Sequence, residues 1–301
     1  MGATPFSVPA CGRLLELGGS PWLMGVVNAT PDSFSDGGER RTLEERVGLA
    51  ADLLKAGAEI IDIGGESGVT NAPPVEPAEE IERVVPLIER VAGGLGATVS
   101  VDTYKPEVAR AAIAAGAVIV NDVSGLRDPG LADVCADTGA ALVIMHTRAK
   151  PKEKLLDRSM DGRMLEDVIT FLEERIELAV ERGVDRESII VDPGPDFGKT
   201  PAQTVEVLRG IDSVLALNRP LLMAIGRKDF IGAATQRPPR QREAGTLAAF
   251  AWGVARGGHL FRVHDVAACR DFLTVQSVLE GDAELPADAV LAESLRREPT
   301  A

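Results

Sequence analysis

Short runs rich in valine and isoleucine alternate with longer amphipathic segments, and this alternation most constrains how the 301-residue chain folds. Each run is followed by a polar or glycine-rich turn and then by a stretch with helical periodicity. Such apolar runs are typical of parallel strands that are buried on both faces of a sheet. Eight runs fit this description, at residues 23–29, 60–65, 98–103, 118–123, 141–146, 188–194, 221–227 and 259–265.

Eight strand–helix units in one chain predict an α/β fold of the (β/α)8 TIM-barrel type rather than an open, doubly wound sheet. The clearest helical segments are residues 42–56, 78–91, 106–115 and 165–182. Helices often end at a glycine, as three of these segments do, at Gly57, Gly116 and Gly183. We expect a single barrel domain over residues 21–281, with an N-terminal extension at 1–20 and a polar C-terminal tail at 282–301.

Polar side chains stand at the carboxyl ends of nearly all of these predicted strands. They are Asn28, Asp62, Asp102, Asn121, His146, Asp192, Arg227, Arg262 and His264. In a TIM barrel the carboxyl ends of the strands converge on one mouth, where the active sites of this fold lie. A single aspartate after a strand often only caps the next helix, but so many polar ends together predict a functional site.

Composition argues against several other classes of function. Acidic residues number 46 and basic residues 32, so the net charge is −14, which disfavours binding to the phosphate backbone of nucleic acids. The sequence lacks a membrane-spanning apolar run and an N-terminal signal sequence, so we expect a cytoplasmic protein that binds no membrane. Three isolated cysteines and three histidines favour neither a disulfide framework nor a zinc site. The segment GPDFGKT has one residue too few between its glycines for a nucleotide phosphate loop.

The segment MGVVNATPDSFSDGG, residues 24–38, is a predicted strand followed by a loop that is too long for a simple connection. This segment resembles the signature of dihydropteroate synthases. Other segments resemble further signatures of that family in the same order, and the resemblance extends over about residues 22–280. They are IIDIGGES (60–67), SVDTYKPEVA (100–109), NDVSG (121–125), MHTR (145–148), DPGPDFGKT (192–200), GRKDFIG (226–232), GTLAA (245–249) and RVHDV (262–266).

The resemblance implies condensation of 6-hydroxymethyl-7,8-dihydropterin pyrophosphate with the arylamine p-aminobenzoate, with release of pyrophosphate by an SN1-like route. It implies Mg²⁺ as the cofactor, a homodimer formed through residues 245–254, and a target for sulfonamides. Pterin recognition is implied for Asp102, Asn121, Met145, Asp192 and Lys228. Diphosphate binding is implied for Asn28, Arg262 and His264, with Asn28 also the magnesium ligand. Catalytic roles are implied for Asp36, Asp62, Lys228, Arg262 and His264. The p-aminobenzoate site is implied to comprise Phe34, Phe197, Lys228 and Asp229.

The chain departs from the family pattern around the second substrate. The family continues Gly-Glu-Ser with Thr-Arg-Pro-Gly, whereas this chain has GVTN at residues 68–71. Asp229 stands where a small hydroxyl residue is usual, Gly226 replaces a serine and Asp196 a glycine. A second anionic substrate would be repelled by Asp229 if the two charges approached each other. These departures resemble those of divergent paralogues found in some actinobacteria.

Two alternatives to the synthase remain open on these residues. One is a divergent paralogue that binds pterin or its diphosphate with weak or no synthase activity, or that uses another acceptor. The other is a different pterin-using barrel enzyme, such as a methylfolate:corrinoid methyltransferase. The loop signature at 28–38 and the pair Arg262 and His264 disfavour this second alternative, since methyl transfer expels no pyrophosphate.

Overall fold

The computed structural model describes residues 3–30, 42–67 and 73–296. Two N-terminal strands form a hairpin, and eight further strands form one parallel sheet in the order β8-β7-β6-β5-β4-β3-β10-β9. The strands are β1 (Phe6–Ala10), β2 (Arg13–Leu17), β3 (Trp22–Asn28), β4 (Ile60–Gly64), β5 (Thr98–Asp102), β6 (Ile119–Asp122), β7 (Ala141–Met145), β8 (Ile189–Asp192), β9 (Leu222–Met223) and β10 (Leu260–Val263). A parallel bridge between Val191 and Leu221 brings the two edges of the sheet together. The predicted (β/α)8 TIM barrel is therefore confirmed.

Helices pack around the outside of the barrel. They are α1 (Leu43–Lys55), α2 (Pro77–Ile88), α3 (Pro106–Ala114), α4 (Gly130–Thr138), α5 (Met164–Glu181), α6 (Pro201–Arg209), α7 (Ile211–Leu215), α8 (Asp229–Thr235), α9 (Glu243–Val254) and α10 (Val266–Glu280). Gly57, Gly116 and Gly183 follow α1, α3 and α5 with positive φ angles, as the sequence predicts for these helix ends. Within the described part of the chain, no helix is both long and apolar enough to cross a membrane.

Alternation along the strands divides the core into two layers. Ile61 and Ile63 of β4 face outward and pack with the helices, in the same cluster as Val84 and Leu87 of α2. Ile60 faces the barrel interior, so Asp62, two residues further along the strand, also points inward and lies closer to the mouth. This alternation decides which polar residues reach the site.

The N-terminal extension is a hairpin that covers the amino-terminal end of the barrel, a structure that the sequence pattern does not predict. Val8, Leu15 and Leu17 are buried in one cluster with interior residues such as Ile190. His259 Nε2 donates a hydrogen bond to the Thr4 carbonyl at 2.9 Å, and its Nδ1 accepts one from the Leu221 amide. At the other end of the chain, residues 282–296 are exposed and include a short 3-10 turn at Glu293–Leu295.

Candidate active site

A layer of polar side chains lies directly above the apolar interior layer of the barrel. The interior cluster includes one residue from each of five strands: Ile60, Ile119, Val143, Ile190 and Leu260. Two positions further along the same strands stand Asp62, Asn121, Met145, Asp192 and Arg262. Because side chains two apart in a strand share a face, these five point into the mouth. The structure thus brings together five of the residues predicted for the site.

Arg262 of β10 bonds to acidic residues of β4 and β5, which lie beyond the neighbouring strand β3 in the sheet. Its Nε donates to Asp62 Oδ2 at 2.7 Å, and its Nη2 donates to Asp102 Oδ2 at 3.0 Å. The Asn121 amide lies 3.3 Å from the same Asp62 oxygen. Although burial opposes it, the two carboxylates raise the pKa of Arg262 above its ordinary value. The guanidinium is therefore a fixed cation between two acids.

Burial brings two carboxyl groups of this layer close to neutrality. It raises the pKa of Asp102 to about 7, against the opposing attraction of Arg262 and with the repulsion of Asp62. Burial also raises the pKa of Asp192 to about 6, although one of its oxygens accepts a hydrogen bond from the Gly194 amide at 2.7 Å. Such groups can either donate or accept a hydrogen bond near neutral pH. They suit a ligand edge that presents donors and acceptors side by side.

Lys228 and His264 add cationic and neutral nitrogen donors at the same mouth. The Lys228 Nζ lies 4.4 Å from the centre of the Phe197 ring, and burial lowers the pKa of this lysine. Burial and the nearby Arg262 lower the pKa of His264 to about 3, so its imidazole is neutral. The His264 Nδ1 is buried and has no hydrogen-bond partner among the described residues. Phe34 and Asp36 lie outside the described residues, so their predicted roles stay predictions.

Asn28 offers an oxygen donor at the end of β3. A β-carbon placed on Gly64 would lie 3.9 Å from Asn28 Oδ1 and 3.8 Å from Asp102 Oδ2, so both oxygens face the same space. An amide oxygen such as Asn28 Oδ1 suits a magnesium ion that keeps several waters and binds substrate phosphates, whereas Asp102 Oδ2 is bonded to Arg262. The described residues contain no group of three or more His, Cys, Asp or Glu side chains that would form an all-protein metal cage. The described residues would therefore suit an ion that takes most of its ligands from water or from a bound molecule.

A cavity of about 600 Å³ opens outward from Asp102. Phe197, Lys228 and Asp229 line it, together with residues 150–156 of the loop after β7. The Asp229 side chain is 79% exposed, and its carboxylate is paired with Arg242 at 3.0 Å. The Asp229 backbone amide donates to the Asp196 carboxylate. Asp196 and Asp229 both depart from the family pattern. Asp229 is the first residue of α8, and the Asp196 carboxylate accepts the hydrogen bond from its backbone amide.

An ion cluster that the sequence pattern does not predict lies beside this cavity. Lys105 Nζ donates to Glu66 and Glu80, each at 2.5 Å, and to the Val75 carbonyl at 2.6 Å. Tyr104 donates to Glu66 at 3.0 Å, and the Val75 amide donates to the same carboxylate. The cluster therefore joins the chain on either side of residues 68–72. Glu66 and Lys105 both fall within the family signatures, but only the fold shows that they pair.

A second buried network holds the loop after β8, which carries Phe197, against the end of β7. Lys199 Nζ donates to His146 Nδ1 at 2.7 Å and to the Gly194 carbonyl at 2.8 Å. His146 Nε2 in turn lies 3.0 Å from Asp167 Oδ2. Burial lowers the pKa of Lys199 to about 7 and that of His146 to about 4. Both ring nitrogens of His146, one of the polar residues at the strand ends, therefore have partners within this network.

Comparisons with known proteins show the family of the chain. Residues 24–264 match the family model described as "Pterin binding enzyme". The chain is 42% identical to the dihydropteroate synthase of Bacillus subtilis over 245 residues, which cover 81% of this chain and 83% of that protein. It is 37% identical to the Escherichia coli (strain K12) dihydropteroate synthase over 257 residues, covering 85% and 90% of the two chains.

Solved structures give the same result. The dihydropteroate synthase of Xanthomonas albilineans with 4-aminobenzoic acid superimposes with a TM-score of 0.82 at 42% identity, covering 91% of this chain and 98% of that one. A Yersinia pestis dihydropteroate synthase with a sulfonamide drug has a TM-score of 0.82 at 33% identity, covering 94% and 100% of the two chains. The chain therefore belongs to the dihydropteroate synthase family of pterin-binding enzymes.

Proposed function

We propose that this protein condenses 6-hydroxymethyl-7,8-dihydropterin pyrophosphate with an arylamine of the p-aminobenzoate type and releases pyrophosphate. The observation that carries the proposal is the polar layer at the barrel mouth, in which Arg262 bonds both Asp62 and Asp102. A pterin carries a row of donors and acceptors on one edge, and this layer presents carboxyl and amide groups on rigid strands.

In this proposal the pterin edge lies against Asp102, Asn121 and Asp192. The carboxyl groups of Asp102 and Asp192 can serve as donors or acceptors because burial raises their pKa values towards neutrality. The side chain of Met145 is buried within the same layer and offers an apolar surface for the ring. Lys228, above Phe197, closes the site from the outer side.

The leaving diphosphate would bind Arg262, His264 and Asn28. As the bond between the pterin methylene carbon and oxygen breaks, negative charge grows on the diphosphate and positive charge grows on the pterin. Arg262 stabilises the first, while the Asp62 carboxylate stabilises the second, and Asp36 shares this role in the proposal. Magnesium, when bound, would neutralise part of the charge on the diphosphate. The neutral imidazole of His264 can give its N–H to a phosphate oxygen.

The arylamine would enter the outer cavity, where the Phe197 ring offers a stacking surface. Its nitrogen lone pair forms a bond to the methylene carbon that the diphosphate oxygen has left, and the nitrogen then loses a proton to water. The related Xanthomonas albilineans enzyme has been solved with 4-aminobenzoic acid and the Yersinia pestis enzyme with a sulfonamide drug. We extend both to this chain as an acceptor class and as a class of inhibitor.

The proposal includes a cytoplasmic homodimer. Cys11, Cys135 and Cys269 are free thiols, which suits a reducing compartment. On α9, within the predicted region 245–254, Trp252 is exposed, and the neighbouring α10 exposes Val275 and Leu279. A paired surface would cover these apolar side chains. Light scattering should give twice the 31.7 kDa chain mass, and a single-chain mass at micromolar concentration would contradict the dimer.

Complementation tests the proposed activity in a cell. A bacterium that lacks its own dihydropteroate synthase gene should grow without folate end-products when it expresses this chain, but not when it expresses an Arg262→Met variant. Failure of the wild-type chain to support growth, while the purified protein binds the pterin diphosphate in calorimetry, would contradict the synthase. That result would favour the second candidate, a paralogue that binds pterin without synthase activity. The observation that favours this candidate is the pair of acidic residues that line the outer cavity, Asp196 and Asp229.

A further inference from the structure

Asp196 lines the outer cavity and is held firmly in place by hydrogen bonds. Its φ angle is +68°, a left-handed conformation that is uncommon for residues other than glycine. The Thr204 hydroxyl donates to Asp196 Oδ1 at 3.0 Å and accepts from the Asp196 backbone amide at 3.0 Å. The other carboxylate oxygen accepts from the Asp229 backbone amide. Both carboxylate oxygens are therefore bonded, and the negative charge stays in one place.

This fixed charge stands next to the lysine of the outer cavity. Lys228 immediately precedes Asp229, the residue whose amide binds Asp196, and its Nζ lies over the ring of Phe197, which follows Asp196 in the chain. Burial disfavours the charged form of Lys228, and Asp196 is the strongest attraction that opposes this effect. Asp196 is thus the main counter-charge of Lys228.

Two cations close to Lys228 in the chain or in space, Arg227 and Arg242, have carboxylate partners of their own. Arg227 Nε donates to Glu243 at 2.5 Å, and Arg242 is paired with Asp229 at 3.0 Å. Arg227, Lys228, Asp196 and Asp229 all line the cavity. A ligand that brought a further negative charge close to Asp196 would be repelled by its carboxylate.

We propose that Asp196 is a specificity-determining residue, whose fixed carboxylate makes the acceptor site favour neutral arylamines over arylamines that carry a carboxylate. This inference rests on the proposed function, since it concerns the second substrate of that reaction. It predicts that the enzyme accepts p-aminobenzoate at a cost in affinity that an uncharged ring of the same shape does not incur.

The test compares two acceptors of matched shape, p-aminobenzoate and p-aminobenzamide, in Asp196→Asn. Asparagine keeps the size of the side chain and an oxygen for the Asp229 amide, so mainly the charge is lost. The KM for p-aminobenzoate should fall about tenfold, because one repelling charge a few ångströms away is removed. The KM for p-aminobenzamide should stay within about twofold of the wild type, and any change in kcat that arises from the loss of the counter-charge of Lys228 should be the same for both acceptors.

Two further variants serve as a second test and as a control. Asp196→Gly removes the carboxylate and suits the left-handed backbone, so it should shift the same KM in the same direction. Glu177→Gln removes one negative charge from an exposed position on α5 and should change neither KM.

Equal shifts for both acceptors, or an unchanged or higher KM for p-aminobenzoate, would overturn the role of Asp196. If the wild-type protein forms no product with either acceptor, the proposed function has failed. Calorimetric Kd values for the same two arylamines, in the presence of Mg²⁺ and the pterin diphosphate, then decide the role of Asp196 by the same ratio.

Discussion

Arg262 Nε lies 2.7 Å from Asp62 Oδ2, and this ion pair joins strands β10 and β4 across the interior of the barrel. The Asp62 side chain is fully buried, and Arg262 is also bonded to Asp102. A buried pair of this kind fixes both charges before any substrate binds. In the proposed reaction the same two residues face the two charges that separate when the diphosphate leaves, so the pair is already organised for that step.

Replacing Asp62 by asparagine should slow catalysis much more than it weakens binding. The amide keeps the shape of the side chain but removes the charge that stabilises a pterin cation, so kcat should fall about 100-fold. The Kd for the pterin diphosphate should change by less than about tenfold, since Asp102, Asn121 and Asp192 remain. Steady-state kinetics and calorimetry measure the two quantities. Equal losses in both would show that Asp62 acts in binding rather than in the chemical step.

Asp102 should make the protein less stable as the pH rises towards neutrality. Burial raises its pKa to about 7 in the folded state, so the folded chain holds a proton that the unfolded chain releases from about pH 4 upward. This contribution to the free energy of unfolding is therefore full below about pH 4 and is lost as the pH rises to about 7.

Urea unfolding at several pH values checks this, with Asp102→Asn as the comparison. Asp192 acts in the same direction and the two buried histidines, His146 and His264, in the opposite one, so the difference between wild type and variant is the informative quantity. Stability relative to the variant should decline between about pH 4 and pH 7. A difference that is flat or rises over this range would contradict the raised pKa.

Lys199→Met should destabilise the fold and loosen the wall that carries Phe197. The variant leaves His146 Nδ1 and the Gly194 carbonyl without their buried donor, at a cost of about 3 kcal/mol in the free energy of unfolding. Lys55→Met, at an exposed position on α1, is the matched control and should cost less than about 0.5 kcal/mol. Equal costs for the two variants in urea unfolding would mean that the network adds nothing to stability.

The N-terminal hairpin offers a test with two adjacent leucines. Leu15 is 3% exposed and packs into the lower end of the barrel, whereas Leu14 is 61% exposed. Leu15→Ala should lower the free energy of unfolding by about 3 kcal/mol, and Leu14→Ala should change it by less than about 0.5 kcal/mol. If both variants unfold at the wild-type urea midpoint, the hairpin does not close the barrel in solution.

Alternation and strand order made much of the site predictable from the sequence. Asp62, Asn121 and Asp192 each follow an apolar run, and the period of two places them on the interior face. The strand predicted at 221–227 is shorter, Leu222–Met223, because the chain turns at Gly226 and Arg227 has a φ of +55°. Local pattern could not show that the backbone would leave the sheet there.

Hydrogen bonds between residues that are far apart in the chain could not be predicted from the sequence. Lys199 and His146 are far apart in the chain and meet only because the loops after β7 and β8 adjoin at the mouth. The bond between Asp196 and the Asp229 amide has the same origin, so the sequence shows both acidic departures but not that they are bonded to each other. The hairpin strands are short and lack the long apolar runs of the barrel strands, so they carried little signal.

The most direct test of the account is to incubate the purified protein with Mg²⁺, the pterin diphosphate and radiolabelled p-aminobenzoate, and to count both products. The account predicts that pyrophosphate and labelled dihydropteroate appear in equal amounts and that Arg262→Met forms neither at a comparable rate. Pterin binding without either product would contradict it, as would pyrophosphate release in which no label enters the pterin.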